Sequence, residues 1–278
     1  MASAAGLSIV IVTWNARDAV ARCLDALAAA PPAEPHDITV VDNASTDGVP
    51  AMVRGRFPSV RLIETGTNLG FAAAANRGAR VSSRDLVLLL NPDTIVPAGA
   101  VDALIGRLRE RPDVAAIGPR IVDADGHPEW SWGDDLTPLA EARRRLLEAA
   151  VERDVPGARV RLARLTGSER EVDWLTGACL LVRRDDAERT GFFDEGYFLY
   201  CEDADFCRAL RARGRRVLFS PVATVTHHRG RSAAAAGGRA REAWRASRLR
   251  YYARYAPRWL PLLRLWQRAR GRPSAAVR

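Results

Sequence analysis

Apolar runs separated by helix-like stretches dominate the first half of the chain. Leu7–Thr13 (LSIVIVT), Ile38–Asp42 (ITVVD), Val60–Glu64 (VRLIE), Asp85–Leu90 (DLVLLL) and Val114–Gly118 (VAAIG) are short and largely apolar. Runs of this length suit strands buried on both faces better than helices. Between the first two, Ala16–Ala30 places Val20, Cys23, Leu24 and Leu27 on one helical face. Regular alternation of this kind predicts an α/β fold, a Rossmann-like, mostly parallel sheet flanked by helices. Ligands of such sheets bind beyond the carboxyl ends of the strands. The residues just past each run are therefore candidates: Thr13, Trp14 and Asn15; Asp42 and Asn43; Asn91 and Asp93.

The segment DLVLLLNPDT shows why. A buried strand carries Asp93 rigidly to the sheet rim, and Pro92 stops the hydrogen-bonded ladder there. An acid after a strand is by itself an ordinary turn residue or helix cap. Here it has company: VDNASTDG after the second strand, and TNLGFAAAANRG, which sets Asn68 and Gly70 before a helix containing Asn76 and Arg77. Neither G-x-G-x-x-G nor a P-loop occurs in the chain. A divalent metal held by a carboxylate is the natural substitute for a phosphate-cradling loop, and oxygen ligands suit Mg2+ or Mn2+.

The second half adds three motifs. DWLTGACLLVRR reads as a strand with a small-residue turn at Thr176, Gly177 and Ala178; a backbone approaching a ligand and a buried strand with a tight bend both fit it. YCEDADFCRALRARG crowds Glu202, Asp203 and Asp205 into the start of a helix. The helix dipole and N-capping account for one or two acids there, not three. His227 and His228 follow the strand-like VATVT.

Length and charge complete the outline. The 278 residues fit one domain over 1–232, with halves of about 1–120 and 121–232, followed by a basic, amphipathic helical tail over 233–278. Cys23, Cys179, Cys201 and Cys207 lack C-x-x-C spacing and read as core residues, with no disulfide or structural metal expected. No apolar run approaches the ~18 residues of a membrane span, and no signal-type leader is evident, so a cytoplasmic location is expected. Of the net +9, the stretch from Arg229 to Arg278 carries 14 arginines against one acid, leaving the body mildly acidic. Acids at successive strand ends of an acidic body argue against nucleic acid as a partner. In the tail, Trp244, Leu249, Tyr251, Tyr252, Tyr255, Trp259, Leu260, Leu262, Leu263, Leu265 and Trp266 alternate with arginines. Such a composition suits an anionic membrane surface, and equally a helix packed on the body with a solvated arginine face.

The segments IVTWN, VDNASTDG, NLGFAAAANRG, NPDT, WLTGACLLVRR, FFDEGYFLYCEDADFCRALRARG and HHRGRS occur in the order and approximate spacing of family 2 glycosyltransferases. The chain resembles that family from about Leu7 to Ser232, and within it the bacterial rhamnosyltransferases. The resemblance implies a GT-A fold in which Thr13, Trp14, Asn15, Asp42 and Asn43 hold the nucleoside while Asn68, Gly70 and Asn76 flank the diphosphate. Asp93 matches the last acid of the family's D-x-D metal motif, with Asn91 at the first, and His227 matches the histidine that completes the metal site. Trp174, Thr176, Gly177 and Ala178 would border the acceptor pocket. Asp203 would be the general base, and Glu202 would hold the acceptor. The implied reaction transfers a hexose with inversion, L-rhamnose from dTDP-rhamnose, to a hydroxyl of a lipid-linked or cell-surface saccharide, with Mg2+ or Mn2+ as cofactor. A polyisoprenoid-linked acceptor would give peripheral attachment to the inner membrane face a purpose. Other readings are a transferase using a UDP- or GDP-sugar, or a non-catalytic sugar-nucleotide binder of the same fold; loss of the acid cluster would mark the latter.

Overall fold

Both faces of the first apolar run are buried, and each feeds a different core. Leu7, Ile9 and Ile11 point to one side of the sheet, Val10 and Val12 to the other. The computed structural model describes residues 4–228 and 231–270, with side chains described outside 231–239 and 269–270. Its first half contains β1 (Ala4–Thr13), α1 (Arg17–Ala29), β2 (His36–Asp42), α2 (Val49–Arg56), β3 (Arg61–Glu64), α3 (Phe71–Arg80), β4 (Arg84–Leu90), β5 (Thr94–Ile95), α4 (Ala100–Arg109) and β6 (Val114–Val122). The second half contains β7 (Trp132–Gly133), α5 (Pro138–Glu152), α6 (Ala158–Leu165), β8 (Arg170–Glu171), β9 (Trp174–Leu175), β10 (Cys179–Arg183), α7 (Arg184–Thr190), α8 (Glu202–Ala212) and β11 (Arg216–His227). The chain continues as α9 (Arg231–Tyr255), a 3-10 turn (Pro257–Trp259) and α10 (Leu260–Arg270).

The main sheet runs β3-β2-β1-β4-β10-β6-β11-β5, with β8 against β11. Strands β3, β2, β1 and β4 pair in parallel, as the alternating pattern predicts. Strand β10 enters antiparallel between β4 and β6, and β11 then pairs in parallel with β6. Hydrophobic runs carry no direction, so the pattern does not reveal this reversal. Helices α1, α2 and α4 cover one face, and α3, α7 and α8 the other. All four cysteines are buried in these cores. VATVT is the second half of the longer β11, and DWLTGACLLVRR divides into β9 and β10 around the 176–178 turn.

The tail is docked. Tyr251, Tyr252 and Leu263 are buried in the second core, and Trp244 and Trp266 lie against the guanidinium of Arg145 in α5. Glu141 accepts from the Tyr252 hydroxyl at 2.7 Å and pairs with Arg248 at 2.6 Å. Most of the aromatic residues of α9 thus face the protein, because its arginines find carboxylates and rings there. Trp259, Leu262 and Leu265 remain exposed. Of the HHRGRS motif, Arg229 and Gly230 lie outside the described residues, as does the side chain of Ser232.

The buried Glu141–Arg248 pair gives a direct test of docking. Removing one partner of a buried pair leaves the other charge uncompensated. Glu141→Ala should cost about 3 kcal/mol or more of unfolding free energy. Arg159→Ala, which removes the exposed pair with Asp154, should cost under about 1 kcal/mol. Urea denaturation of both variants measures the contrast; equal effects would mean that α9 is not held by Glu141.

Candidate active site

Parallel pairing gathers the strand ends predicted from sequence. Thr13 and Asp42 are register partners at the carboxyl ends of β1 and β2, while β4 ends beside them at Leu90 and passes into Asn91. Asp42 Oδ2 accepts from the Ser45 amide at 3.2 Å. Asp42 Oδ1 and Thr13 Oγ1 are buried and meet no hydrogen-bond partner among the described residues. Leaving a buried polar atom unpaired costs roughly 1–3 kcal/mol, so two at one strand edge point to a ligand that supplies donors. Asn15, at φ 50°, donates its amide N–H to Ser45 Oγ at 2.9 Å and accepts from the Thr46 amide at 2.7 Å, which fastens the Asp42–Thr46 loop to the end of β1. Trp14 is half-buried beside it.

Several predicted ligand residues make hydrogen bonds within the protein. Asn43 Oδ1 accepts from the Leu69 amide at 2.9 Å and Thr65 Oγ1 at 3.2 Å, and its Nδ2 donates to Asn68 Oδ1 at 2.9 Å and Gly70 O at 3.1 Å. Both ends of the amide are occupied in shaping the 65–70 loop. Asn76 is buried and ties α3 to the 193–195 segment through Phe193 N, Phe193 O and Glu195. Arg77 beside it lies on the solvent face of α3. Gly70, at φ 84°, is required by chain packing: an added Cβ would stand 2.3 Å from Phe198 O. Trp174 is buried with its Nε1–H given to Asp134 O at 2.9 Å and belongs to the core. Asn68 Oδ1 caps the Gly70 amide at 3.0 Å.

The Thr176–Ala178 turn connects the two halves of the site. Ala178 O accepts from the Asn91 amide at 2.9 Å and from Thr94 Oγ1 at 3.3 Å. Gly177 N–H donates to Asp203 Oδ2 at 3.2 Å, and Thr176 N–H donates to Ser131 O at 2.8 Å. An added Cβ at Gly177 would meet Phe71 only at 3.5 Å, ordinary contact, so glycine here leaves space beside Asp203 that packing does not demand.

The two adjacent acids of α8 have different surroundings. Glu202 is 5% exposed, and its Oε2 has no partner among the described residues. Burial and the neighbouring Asp203 charge push its pKa well above the ordinary carboxylate range. Burial also raises Asp203, but the Ala204 and Gly177 amides and the charge of Arg144 oppose it. Asp203 thus has donors that favour its charged form, whereas Glu202 Oε2 has none among the described residues. Asp205 does not cap the helix: it accepts from Tyr197 OH at 3.1 Å and pairs with Arg254 of α9 at 3.2 Å.

Across the turn, β5 pairs with the end of β11 so that His227 lies opposite Thr94. The His227 ring, rather than that of His228, meets Asp93: Nε2 lies 3.1 Å from Asp93 Oδ1 and 3.4 Å from Asn91 Nδ2. Its Nδ1 lies 3.5 Å from Glu129 Oε2. Burial lowers the imidazole pKa, but hydrogen bonds and charge from Asp93 and Glu129 outweigh it and raise the value to about 9. The donor set suits a divalent cation, since two ligands at about 2.1 Å and a right angle lie about 3 Å apart, close to the separation of Asp93 Oδ1 and His227 Nε2. Asp123, Asp125 and His127 also gather nearby in sequence, but they form an exposed turn closed by Asp123 Oδ1 onto the 125 and 127 amides. No motif in the sequence marks Glu129 or Arg144 for this site.

Residues 8–165 match the family model described as Glycosyl transferase family 2. The chain is 35% identical over 237 residues, 81% of its length and 77% of the relative's, to an N-acetylglucosaminyl-diphospho-decaprenol L-rhamnosyltransferase of Mycobacterium tuberculosis. It is 43% identical over 61 residues, 22% of this chain and 23% of the other, to rhamnosyltransferase WbbL of Escherichia coli. Among solved structures, a Pyrobaculum calidifontis mannosyltransferase in complex with GDP-Man and Mn2+ superposes with a TM-score of 0.58 at 20% identity, covering 93% of this chain and 68% of that one. That similarity establishes the GT-A fold.

The buried acid pair predicts a stability profile. Glu202 retains in the folded state a proton that the unfolded chain releases in the ordinary carboxylate range. Its contribution to folding is complete below the unfolded pKa and is lost as pH rises through the raised folded value. Glu202→Gln, neutral throughout, should gain stability relative to the natural protein between pH of about 5 and about 8. Urea unfolding at both pH values tests this, and a constant difference would show that Glu202 does not hold the buried proton.

Proposed function

Because the chain belongs to glycosyl transferase family 2, we propose that it is an inverting transferase moving L-rhamnose from dTDP-rhamnose to a hydroxyl of a saccharide carried on a polyisoprenoid diphosphate. The observation that supports the chemistry is the placement of Asp203, which accepts from the Ala204 amide and from a turn whose next residue, Ala178, holds the amide of Asn91. One short rigid link thus sets the distance between a base and the Asn91–Asp93 segment. Likeness to the mycobacterial L-rhamnosyltransferase over most of the chain supports the sugar and acceptor classes.

In this reading Thr13 Oγ1 and Asp42 Oδ1 receive hydrogen bonds from the nucleoside, and Trp14 presents an aromatic face to the base. Asp203 takes the proton of the acceptor hydroxyl as that oxygen bonds to the anomeric carbon. The bond from that carbon to the diphosphate breaks on the opposite face, which inverts the centre. Mg2+ or Mn2+, held by Asp93 and His227, would neutralise the charge of the departing nucleoside diphosphate. Glu202 keeps its proton and donates a hydrogen bond to the acceptor or to a neighbour, and Thr176–Ala178 border the acceptor. Trp259, Leu262 and Leu265, flanked by Arg258, Arg264 and Arg268, form the face that meets an anionic membrane.

Calorimetric titration of dTDP-rhamnose, UDP-glucose, UDP-galactose and GDP-mannose identifies the donor; tighter binding of a UDP- or GDP-sugar would replace dTDP-rhamnose. Asp203→Asn should lower turnover by roughly 10²-fold or more at saturating substrates with donor affinity nearly unchanged. Normal turnover by this variant would remove Asp203 as the base. For the membrane face, Leu262→Ser with Leu265→Ser should weaken co-sedimentation with anionic liposomes about tenfold or more. Unchanged sedimentation would place the lipid contact elsewhere.

A further inference from the structure

We propose that Glu129 is a positioning residue that holds the His227 ring by Nδ1 and thereby turns Nε2 toward a divalent cation beside Asp93. The proposal rests on the reading of Asp93 and His227 as metal ligands. Glu129 lies on the segment that returns along the end of β6: its amide donates to Ile121 O at 2.9 Å, and Pro128 makes an isolated bridge to Val122. Because β6 is the sheet neighbour of β11, with Val122 opposite Thr226, this return places the Glu129 carboxylate across from His227. The two acids approach opposite nitrogens of one ring, Asp93 Oδ1 at 3.1 Å from Nε2 and Glu129 Oε2 at 3.5 Å from Nδ1, an ion-pair distance that a small ring rotation closes to a hydrogen bond. Ring and carboxylate are each only 13% exposed, so water competes weakly for the contact.

An imidazole that gives its Nε2 lone pair to a metal must carry its proton on Nδ1, and that N–H needs an acceptor. A carboxylate acceptor fixes tautomer and ring orientation and makes the ligating nitrogen more basic. That matters here because Asn91 supplies an amide rather than a second acid on the Nε2 side. Glu129 provides the second negative charge from behind the ring.

The test uses the full chain and Mn2+ alone, titrated by electron paramagnetic resonance without nucleotide. Glu129→Ala should weaken Mn2+ binding about 10- to 100-fold. Glu129→Gln, whose carbonyl still accepts from Nδ1–H, should fall between it and the natural protein. Nitrogen-15 NMR of histidine-labelled protein with Mg2+ should show His227 as the Nδ1–H tautomer, and as a tautomer mixture in the alanine variant; with only four histidines in the chain, assignment is tractable. Asp93→Asn and His227→Ala separate the two claims. If neither alters Mn2+ affinity, the metal site itself is wrong. If both weaken it while Glu129→Gln and Glu129→Ala leave affinity and tautomer unchanged, the role of Glu129 is overturned; if the alanine variant does not fold, the glutamine variant decides on the same two readouts.

Discussion

The site depends on a three-residue turn, Thr176–Ala178, at the head of the antiparallel strand β10. Its backbone makes one hydrogen bond to the segment after β4, through Ala178 O and the Asn91 amide, and another to the start of α8, through Gly177 N–H and Asp203. Strand β10 is paired along its length to β4 and on its other side to β6, so the turn cannot shift without breaking a sheet interior. The separation between the Asp93 region and Asp203 is therefore set by backbone hydrogen bonds rather than by side-chain rotamers. Placement by a sheet interior is the kind of preorganisation that lets a base act without further rearrangement.

That turn also resolves how two neighbouring carboxylates divide their labour. A helix rotates consecutive side chains by about 100°, so Glu202 and Asp203 cannot share one environment. Asp203 faces the turn and gains two backbone amides; Glu202 faces the interior and gains none for Oε2. Two like charges so close could not both ionise inside a protein. Unequal solvation decides which one does.

The parallel half of the sheet was legible because its strands are buried on both faces and end at polar residues: Thr13, Asp42, Asn91 and Asp93 all stand where the pattern put them. What the pattern could not show was direction, and hence the insertion of β10 against β4. Residue type also left the structural bonds of Asn43, Asn76 and Trp174 unseen. Amides and indoles serve ligands and backbone equally well, and only the fold shows that Leu69, Gly70, Phe193 and Asp134 have already claimed these three. Glu129 was invisible for a related reason. It meets His227 across nearly a hundred residues of chain, and nothing local to the DADGHPE stretch marks it apart from an ordinary turn.

The tail's composition suits two boundaries, a membrane and the protein body, and α9 uses the second. Arginines interleaved with aromatics suit a charged, amphipathic boundary, and α9 is one, but its boundary is with the protein. Two consecutive non-glycine residues just before Glu202 and Asp203, Tyr200 at φ 70° and Cys201 at φ 66°, adopt left-handed backbone. Each such residue costs on the order of 1–3 kcal/mol unless its surroundings over-determine it. The surroundings come largely from α9. Ser247 Oγ donates to Leu199 O at 2.8 Å, immediately before the strained pair, and Arg254 pairs with Asp205, immediately after the acids. Tyr197, buried and bonded to the same Asp205, closes the segment from below. The strained entry into α8 is thus clamped on both sides by a helix that sequence alone would assign to an appendage, and the angle at which Asp203 meets Gly177 follows from that clamp.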